Sequence, residues 1–188
     1  MTQDTLPLPL TTERLILRPF VAADFDAYAA YHSLPEVYRY LYAAVPVGEA
    51  LRRQFEDGLA APFEADGDAF RLAVVRMDTA TVIGETYLKM ASQAALQGEI
   101  GYLFHPHAAG KGYATEAVGA TIDFGFSHLG FHRIFARLDT ANQGSIGVVE
   151  RLGLRREAHL VQNDRFDGVW GDEYNYAVLA SEWAGRRA

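Results

Sequence analysis

Gly110, Lys111 and Gly112 separate two segments of different periodicity. Ahead of them, Ile100, Tyr102 and Phe104 alternate with Gly101, Leu103 and His105, which is the pattern of a strand. Pro106 ends that strand, because it has no N–H to give to a ladder. Behind the glycines, Ala114, Ala117, Val118, Ile122 and Phe126 recur at helical spacing. A strand, a glycine loop and a helix in that order turn several backbone N–H groups, and the positive end of the helix, toward one point. Such a point favours an anion, most often a phosphate. Lys111 stands there as one of two lysines in the chain, against fifteen arginines. On the loop alone, a plain strand-to-helix turn that needs glycine for its geometry reads equally well.

Other chemistries fit poorly. A P-loop needs GxxxxGK[ST], which is absent. A dinucleotide fingerprint needs a third small residue near Thr115 and an acid about twenty residues on, at the end of the next parallel strand. Neither is present. His105-Pro106-His107 matches no common zinc spacing and has no evident carboxylate partner. There is no GxSxG nucleophile elbow. The absence of cysteine excludes disulfides, thiolate metal sites and a cysteine acyl-enzyme, and fits a cytoplasmic protein. The net charge of −7 argues against nucleic acid, whose binding rests on phosphate neutralisation, and leaves room for a cationic partner such as an amine.

The elements that must position the loop can be read in order. At 188 residues one domain is expected, with 49% hydrophobic and 22% charged residues, an ordinary soluble composition. No apolar run of transmembrane length and no signal peptide is seen. Residues 1–11, with Pro7 and Pro9, read as a flexible lead-in, and 12–188 as the domain. Arg14–Phe20 reads as a first strand, and Asp24 as the N-cap of a helix through His32. Short helices follow at Glu36–Leu41 and Val47–Leu59. Phe70–Met77 and Val82–Met90 read as strands, with Gly84 marking a bulge or a close backbone approach. The helix after the glycine loop runs to about Leu129, stopped by Gly130. Ile134–Asp139, Glu157–Asn163 and Asp172–Leu179 read as later strands, and a short helix ends at Leu152 before Gly153. The expectation is an α/β (α+β type) protein: a mixed, mostly antiparallel sheet of about seven strands with helices on both faces.

Ala109-Gly110-Lys111-Gly112-Tyr113-Ala114 resembles the acetyl-CoA loop of the GNAT superfamily of acyltransferases, Gln/Arg-x-x-Gly-x-Gly/Ala. It matches the last two specified positions, and Ala109 departs from the usual Gln or Arg. The run EIGY…P…GKGYATEA is most similar to the Rim-type branch, which acetylates ribosomal-protein N-termini and related amines. The resemblance runs from about Thr12 to Trp183. It implies N-acetylation of a primary amine, on a protein N-terminus or a small molecule, with acetyl-CoA as co-substrate and direct attack in a ternary complex. It implies strands ending near Phe104 and Asp139 that splay apart, and early helices, rich in Tyr28, Tyr31, Tyr38, Tyr40 and Tyr42, that line the acceptor side. For any one of these tyrosines, core packing is the competing reading.

By the same resemblance, Leu103, Phe104 and Ala109–Ala114 contact the cofactor, with Asn142 and Ser145 as a second motif. Asn142 bonds the pantetheine or orients the following turn; Ser145 sits near the sulfur, or merely caps its helix. Glu99 matches the position of a glutamate that serves as general base in several members; a surface or ladder-edge glutamate is the competing reading. A tyrosine acid commonly follows four residues after Ser145; here that position is Val149, so Ser145 is the best remaining donor, with Tyr174 and Tyr176 as weaker substitutes. Trp170-Gly171-Asp172 and Trp183 resemble the branch's closing segment. A non-catalytic acyl-CoA-binding or sensing module would need the loop but not Glu99 or Ser145. The acceptor, and whether the protein is a monomer or a homodimer, are not coded in any stretch that can be read.

Overall fold

The computed structural model describes residues 6–185. Eight strands form a single sheet in the order β1-β2-β3-β4-β5-β6-β8-β7. They are β1 (Leu10–Thr11), β2 (Leu15–Arg18), β3 (Ala69–Arg76), β4 (Val82–Ser92), β5 (Gln97–Phe104), β6 (Arg133–Asp139), β7 (Arg155–Phe166) and β8 (Val169–Leu179). Every neighbouring pair is antiparallel except β5–β6. The expected mixed, mostly antiparallel sheet is present, with eight strands rather than about seven. The additional one is β1, whose two residues pair with Leu17 and Ile16. Pro7 and Pro9 mask it in the sequence. Residues 1–5 of the expected lead-in lie outside the described residues.

Alternation along the strands sends side chains to two different helical layers. Leu15, Leu17, Leu72, Val74, Leu88 and Ile100 enter the main core. There they meet α4 (Tyr113–Ser127) and α5 (Gln143–Arg151). Helix α4 buries Ala117, Val118, Thr121, Ile122, Phe124 and Gly125, a stripe at helical spacing. A Cβ on Gly125 would lie 2.8 Å from both Ile134 and Leu88, so the helix approaches the sheet closely because that residue is glycine. Ile16, Ala73 and Val75 face the opposite side. That side is covered by α1 (Phe25–His32), α2 (Pro35–Tyr38) and α3 (Glu49–Leu59), where Tyr28, Tyr31, Leu51 and Phe55 form a second cluster with Leu103 of β5.

The expected helices and strands are present with shifted bounds: α2 ends at Tyr38 rather than Leu41, β7 runs Arg155–Phe166 rather than Glu157–Asn163, and β8 starts at Val169 rather than Asp172. Helix α1 starts directly after Asp24, but the Asp24 carboxylate does not cap it. It bonds Arg18 at 2.7 and 2.8 Å and accepts the Val21 N–H instead. A last helix, α6 (Ala180–Ala184), which the sequence reading did not include, continues β8 at the point where the Glu182 carboxylate accepts the Leu179 N–H at 2.8 Å. Gly84 shows both features expected of it. The β3–β4 register slips beside it, and a Cβ there would meet the Leu103 carbonyl at 2.4 Å.

Candidate active site

The one parallel pairing shapes the site. β5 and β6 are in register only at Gln97–Arg133, Gly98–Ile134 and Glu99–Phe135. Beyond Glu99 the two strands part, and a cleft of about 830 Å³ opens between them. The His105 N–H bonds the Ile83 carbonyl of β4 at 2.9 Å. Strand alternation therefore turns the N–H and C=O groups of Ile100, Tyr102 and Phe104 to the opposite edge, which faces the gap. An unpaired strand edge in a cleft is a ready partner for a ligand carrying amides.

The glycine loop closes one end of the cleft. Gly110 and Gly112 have φ of +72° and +80°. This left-handed turn brings the chain into α4 with Gly112 as N-cap and no side chain capping the helix. The first helical bond is from Glu116 to the Gly112 carbonyl, so the N–H groups of Tyr113, Ala114 and Thr115 remain for an anion. The loop is anchored from outside. Glu116 accepts from Thr12 Oγ1 at 2.6 Å, Arg14 N at 2.8 Å and Arg14 Nε at 2.7 Å, and Arg14 Nη1 donates to the Lys111 carbonyl at 3.0 Å. Burial alone would push the Glu116 carboxyl up; the bonds from Thr12 and Arg14 hold it below the ordinary range.

Of the residues singled out in the sequence, Glu99, Leu103, Phe104, Ala109, Gly110, Gly112, Tyr113, Ala114, Asn142 and Ser145 all line this one cleft. Lys111 does not. Its ammonium turns back to the His107 carbonyl at 3.0 Å and braces the loop. Asn142 caps α5 through its side chain, accepting the Ser145 N–H at 3.1 Å, so it does orient the following turn. The Ser145 carbonyl accepts from Tyr102 at 2.9 Å, which ties the start of α5 to β5. Tyr174 and Tyr176 do not line the cleft. Tyr176 bonds Glu150 at 2.8 Å, and burial together with that carboxylate pushes its phenol up to about 12. His105 and His107 serve the turn before the loop, His105 Nδ1 accepting the His107 N–H. Among the described residues no group of three His, Asp or Glu could hold a metal.

Glu99 is the last residue of β5 paired with β6, and its side chain is 17% exposed. Arg137 Nε stands 3.2 Å away and the Lys89 ammonium 3.9 Å. Arg137 also reaches Glu173 at 3.9 Å. The carboxylate is therefore held at the branch point of the cleft. Sequence reasoning missed several lining residues. Arg151 donates to Thr115 Oγ1 at 3.3 Å, placing a cation beside the uncapped end of α4. Of the five early tyrosines named in the sequence only Tyr40 lines the cleft; Tyr42 instead bonds Asp139 at 2.6 Å and brings the α2–α3 loop across to β6. Tyr87 and Arg137 come from strand interiors. No local motif marks Arg151, Tyr87 or Arg137; each arrives through sheet register or helix packing.

A parallel strand pair thus splits over an uncapped helix, with a carboxylate at the fork. The description "Acetyltransferase (GNAT) domain" matches residues 14–155, and the chain belongs to that family of acetyltransferases. It is 34% identical over 176 residues to the uncharacterized N-acetyltransferase YnaD of Bacillus subtilis, covering 93% of this chain and 98% of that protein. Among solved structures, a GNAT-family acetyltransferase from Bacillus anthracis superposes with a TM-score of 0.83 at 30% identity, over 92% of this chain and 99% of that one. The fold is also that of spermidine N-acetyltransferase from Vibrio cholerae in complex with CoA and spermine, with a TM-score of 0.79 at 20% identity, over 92% and 99%. Among the described residues no helix is long and apolar enough to cross a membrane.

Proposed function

We propose that the protein transfers the acetyl group of acetyl-CoA to a primary amine, by direct attack within a ternary complex. The observation that carries this reading is the continuity of one cleft: it joins the uncapped end of α4 to the β5–β6 fork that holds Glu99. The pyrophosphate lies against the N–H groups of Tyr113–Thr115, with Arg151 beside it. The pantetheine amides pair with the open edge of β5. The CoA of the Vibrio cholerae enzyme's complex supports such a co-substrate on this fold.

At the fork the amine must give up a proton before its nitrogen can attack, and Glu99 takes it, directly or through a water. The C–N bond forms as the thioester oxygen becomes an oxyanion. Backbone N–H groups of β5 on the gap side stabilise that charge. The C–S bond then breaks as the nitrogen sheds its second proton, and the sulfur leaves with that proton beside Ser145, whose hydroxyl supports it. With no cysteine in the chain, no thioester acyl-enzyme intervenes. The reading is tested by thiol release from acetyl-CoA with a panel of amines: a peptide with a free N-terminal alanine, spermidine, an aminoglycoside and free amino acids. The expected result is release that depends on one class of amine. Acetyl-CoA binding without amine-dependent release would leave a binding module instead.

A further inference from the structure

Tyr87 lies in the wall of the cleft with a hydroxyl that nothing holds. It pairs with Gly101 of β5 and with Arg71 of β3. A Cβ on Gly101 would stand 2.1 Å from Tyr87 Cζ and 2.2 Å from its hydroxyl oxygen. The ring therefore lies flat across residue 101, and it can do so because that residue has no side chain. Gly101 is two positions past Glu99, where β5 and β6 have just parted. The Arg71 guanidinium carbon sits 5.0 Å from the centre of the ring, and Arg71 Nη1 donates to the buried Glu85 at 3.0 Å. Glu85 in turn holds Tyr31 and His32. The ring is thus fixed by β3, β4 and β5 together. Its hydroxyl makes no hydrogen bond to any described residue, and the residue lines the cleft. The residue is half-buried, and its hydroxyl remains open to the cleft for a ligand.

The side of the sheet matters. Tyr87 alternates onto the same face as Glu85 and Lys89, the face that Glu99 shares through its pairing with Lys89. The uncapped end of α4 belongs to the opposite layer. A co-substrate anchored at α4 reaches the fork from one layer, and the acceptor meets it from the side of Tyr87 and Glu99.

We propose that Tyr87 is a substrate-contacting residue whose hydroxyl oxygen accepts an N–H of the acceptor amine at the β5–β6 fork. This rests on the amine-acetylation reading above. The contact directs the nitrogen lone pair at the thioester carbon. The ammonium's first proton goes to Glu99, the C–N bond forms as the thioester oxygen becomes an oxyanion, and the C–S bond then breaks as the nitrogen sheds its second proton, which the leaving thiolate takes; Tyr87 neither gains nor loses a proton. Burial, reinforced by the Glu99 charge and opposed by Arg71, pushes the phenol above its ordinary value, so it stays neutral during the reaction.

The test uses the full chain with Tyr87→Phe, a peptide with N-terminal alanine and spermidine as acceptors, steady-state thiol release, and calorimetric titration of the acceptors into the CoA-loaded protein. Loss of one hydrogen bond to the amine should lower kcat/KM for the acceptor by about tenfold or more. The dissociation constant for acetyl-CoA should stay within about twofold, since the hydroxyl lies on the acceptor side. Gly101→Ala displaces the same ring, so it should lower kcat/KM in the wild-type background and cost little further in a Tyr87→Ala background. Wild-type constants in Tyr87→Phe, or a parallel loss of cofactor and acceptor affinity, overturn the assignment and leave the transferase reading standing. A wild-type protein that neither binds nor acetylates an amine overturns both.

Discussion

Glu85 is fully buried on β4, and its replacement by alanine should be among the most damaging single changes in the molecule. The carboxylate accepts from Tyr31 at 3.0 Å and from Arg71 at 3.0 Å, and stands 3.3 Å from His32 Nε2. His32 is itself 1% exposed, and its other nitrogen meets Tyr38 at 2.7 Å. Removing one partner of a buried ion pair costs about 3–5 kcal/mol, because the remaining polar groups cannot reach water. Two such groups, Tyr31 and His32, would be stranded here, which places Glu85→Ala near about 4 kcal/mol. For a chain of this length each kcal/mol moves Tm by roughly 2–4 °C, so the melting point should fall by roughly 8–16 °C. The pH dependence adds a second check. Burial would raise the Glu85 carboxyl, but the bonds from His32 and Tyr31 and the Arg71 charge bring it below its ordinary value. A depressed folded-state pKa contributes stability that is present above the unfolded value, about 4.3, and lost as pH falls through the folded one. The difference in Tm between wild type and Glu85→Ala should therefore narrow below about pH 4. Thermal melts followed by circular dichroism from pH 3 to 8 measure both effects. A loss under about 3 °C at neutral pH would refute the reasoning, because it would mean the stranded groups find other partners at little cost.

Three further outcomes test the cleft. Gly112→Val puts a β-branched residue at φ +80°, with its Cβ 3.3 Å from Arg14 Nη2, and should abolish the stabilisation by acetyl-CoA, about 2.7 kcal/mol at 100 times its dissociation constant; an undiminished thermal shift in a folded variant would clear the loop of that role. Ser145→Ala should lower kcat more than it weakens acetyl-CoA binding, measured by turnover beside calorimetry, and unchanged turnover would leave the residue only a lining role. Glu99→Gln should leave acetyl-CoA affinity in place and lower turnover by roughly a hundredfold near neutral pH, with the loss shrinking as alkali deprotonates the acceptor; full activity at every pH would remove Glu99 from the proton path.

How much of this could be read from the chain depends on the range over which each part is built. The glycine loop is local. Gly110 and Gly112 carry the left-handed turn, and the helix behind them shows its own periodicity, so seven neighbouring residues suffice to announce the place. Asn142 and Ser145 come from the family resemblance, and the cap expected of Ser145 is supplied by Asn142, which accepts the Ser145 N–H. The role of Lys111 was not legible. An ammonium beside a phosphate-like loop invites a ligand reading, and nothing in the sequence says that the His107 carbonyl lies within reach. Asp24 was misplaced by one interaction: its position before α1 is right for a cap, but Arg18 sits closer on β2. Strand β1 was lost because two residues give no period to detect.

The side-chain wall of the cleft, Glu99 apart, is illegible for a deeper reason. Tyr87, Glu99, Arg137 and Gly101 are spread over three strands, and their meeting depends on the register of β4 with β5 and on the point where β6 departs. Shift β4 by one residue against β5 and Tyr87 turns to the other face of the sheet, leaving Gly101 with no ring to accommodate. Gly101 illustrates the limit well. In the sequence it is a small residue in an alternating strand, which weakens the strand and suggests no partner. In the fold it is the space that lets an aromatic ring lie along the edge of the fork. The half of the cleft that uses backbone announces itself through glycine and helix period. The half that uses side chains from separate strands appears only once the sheet has been assembled.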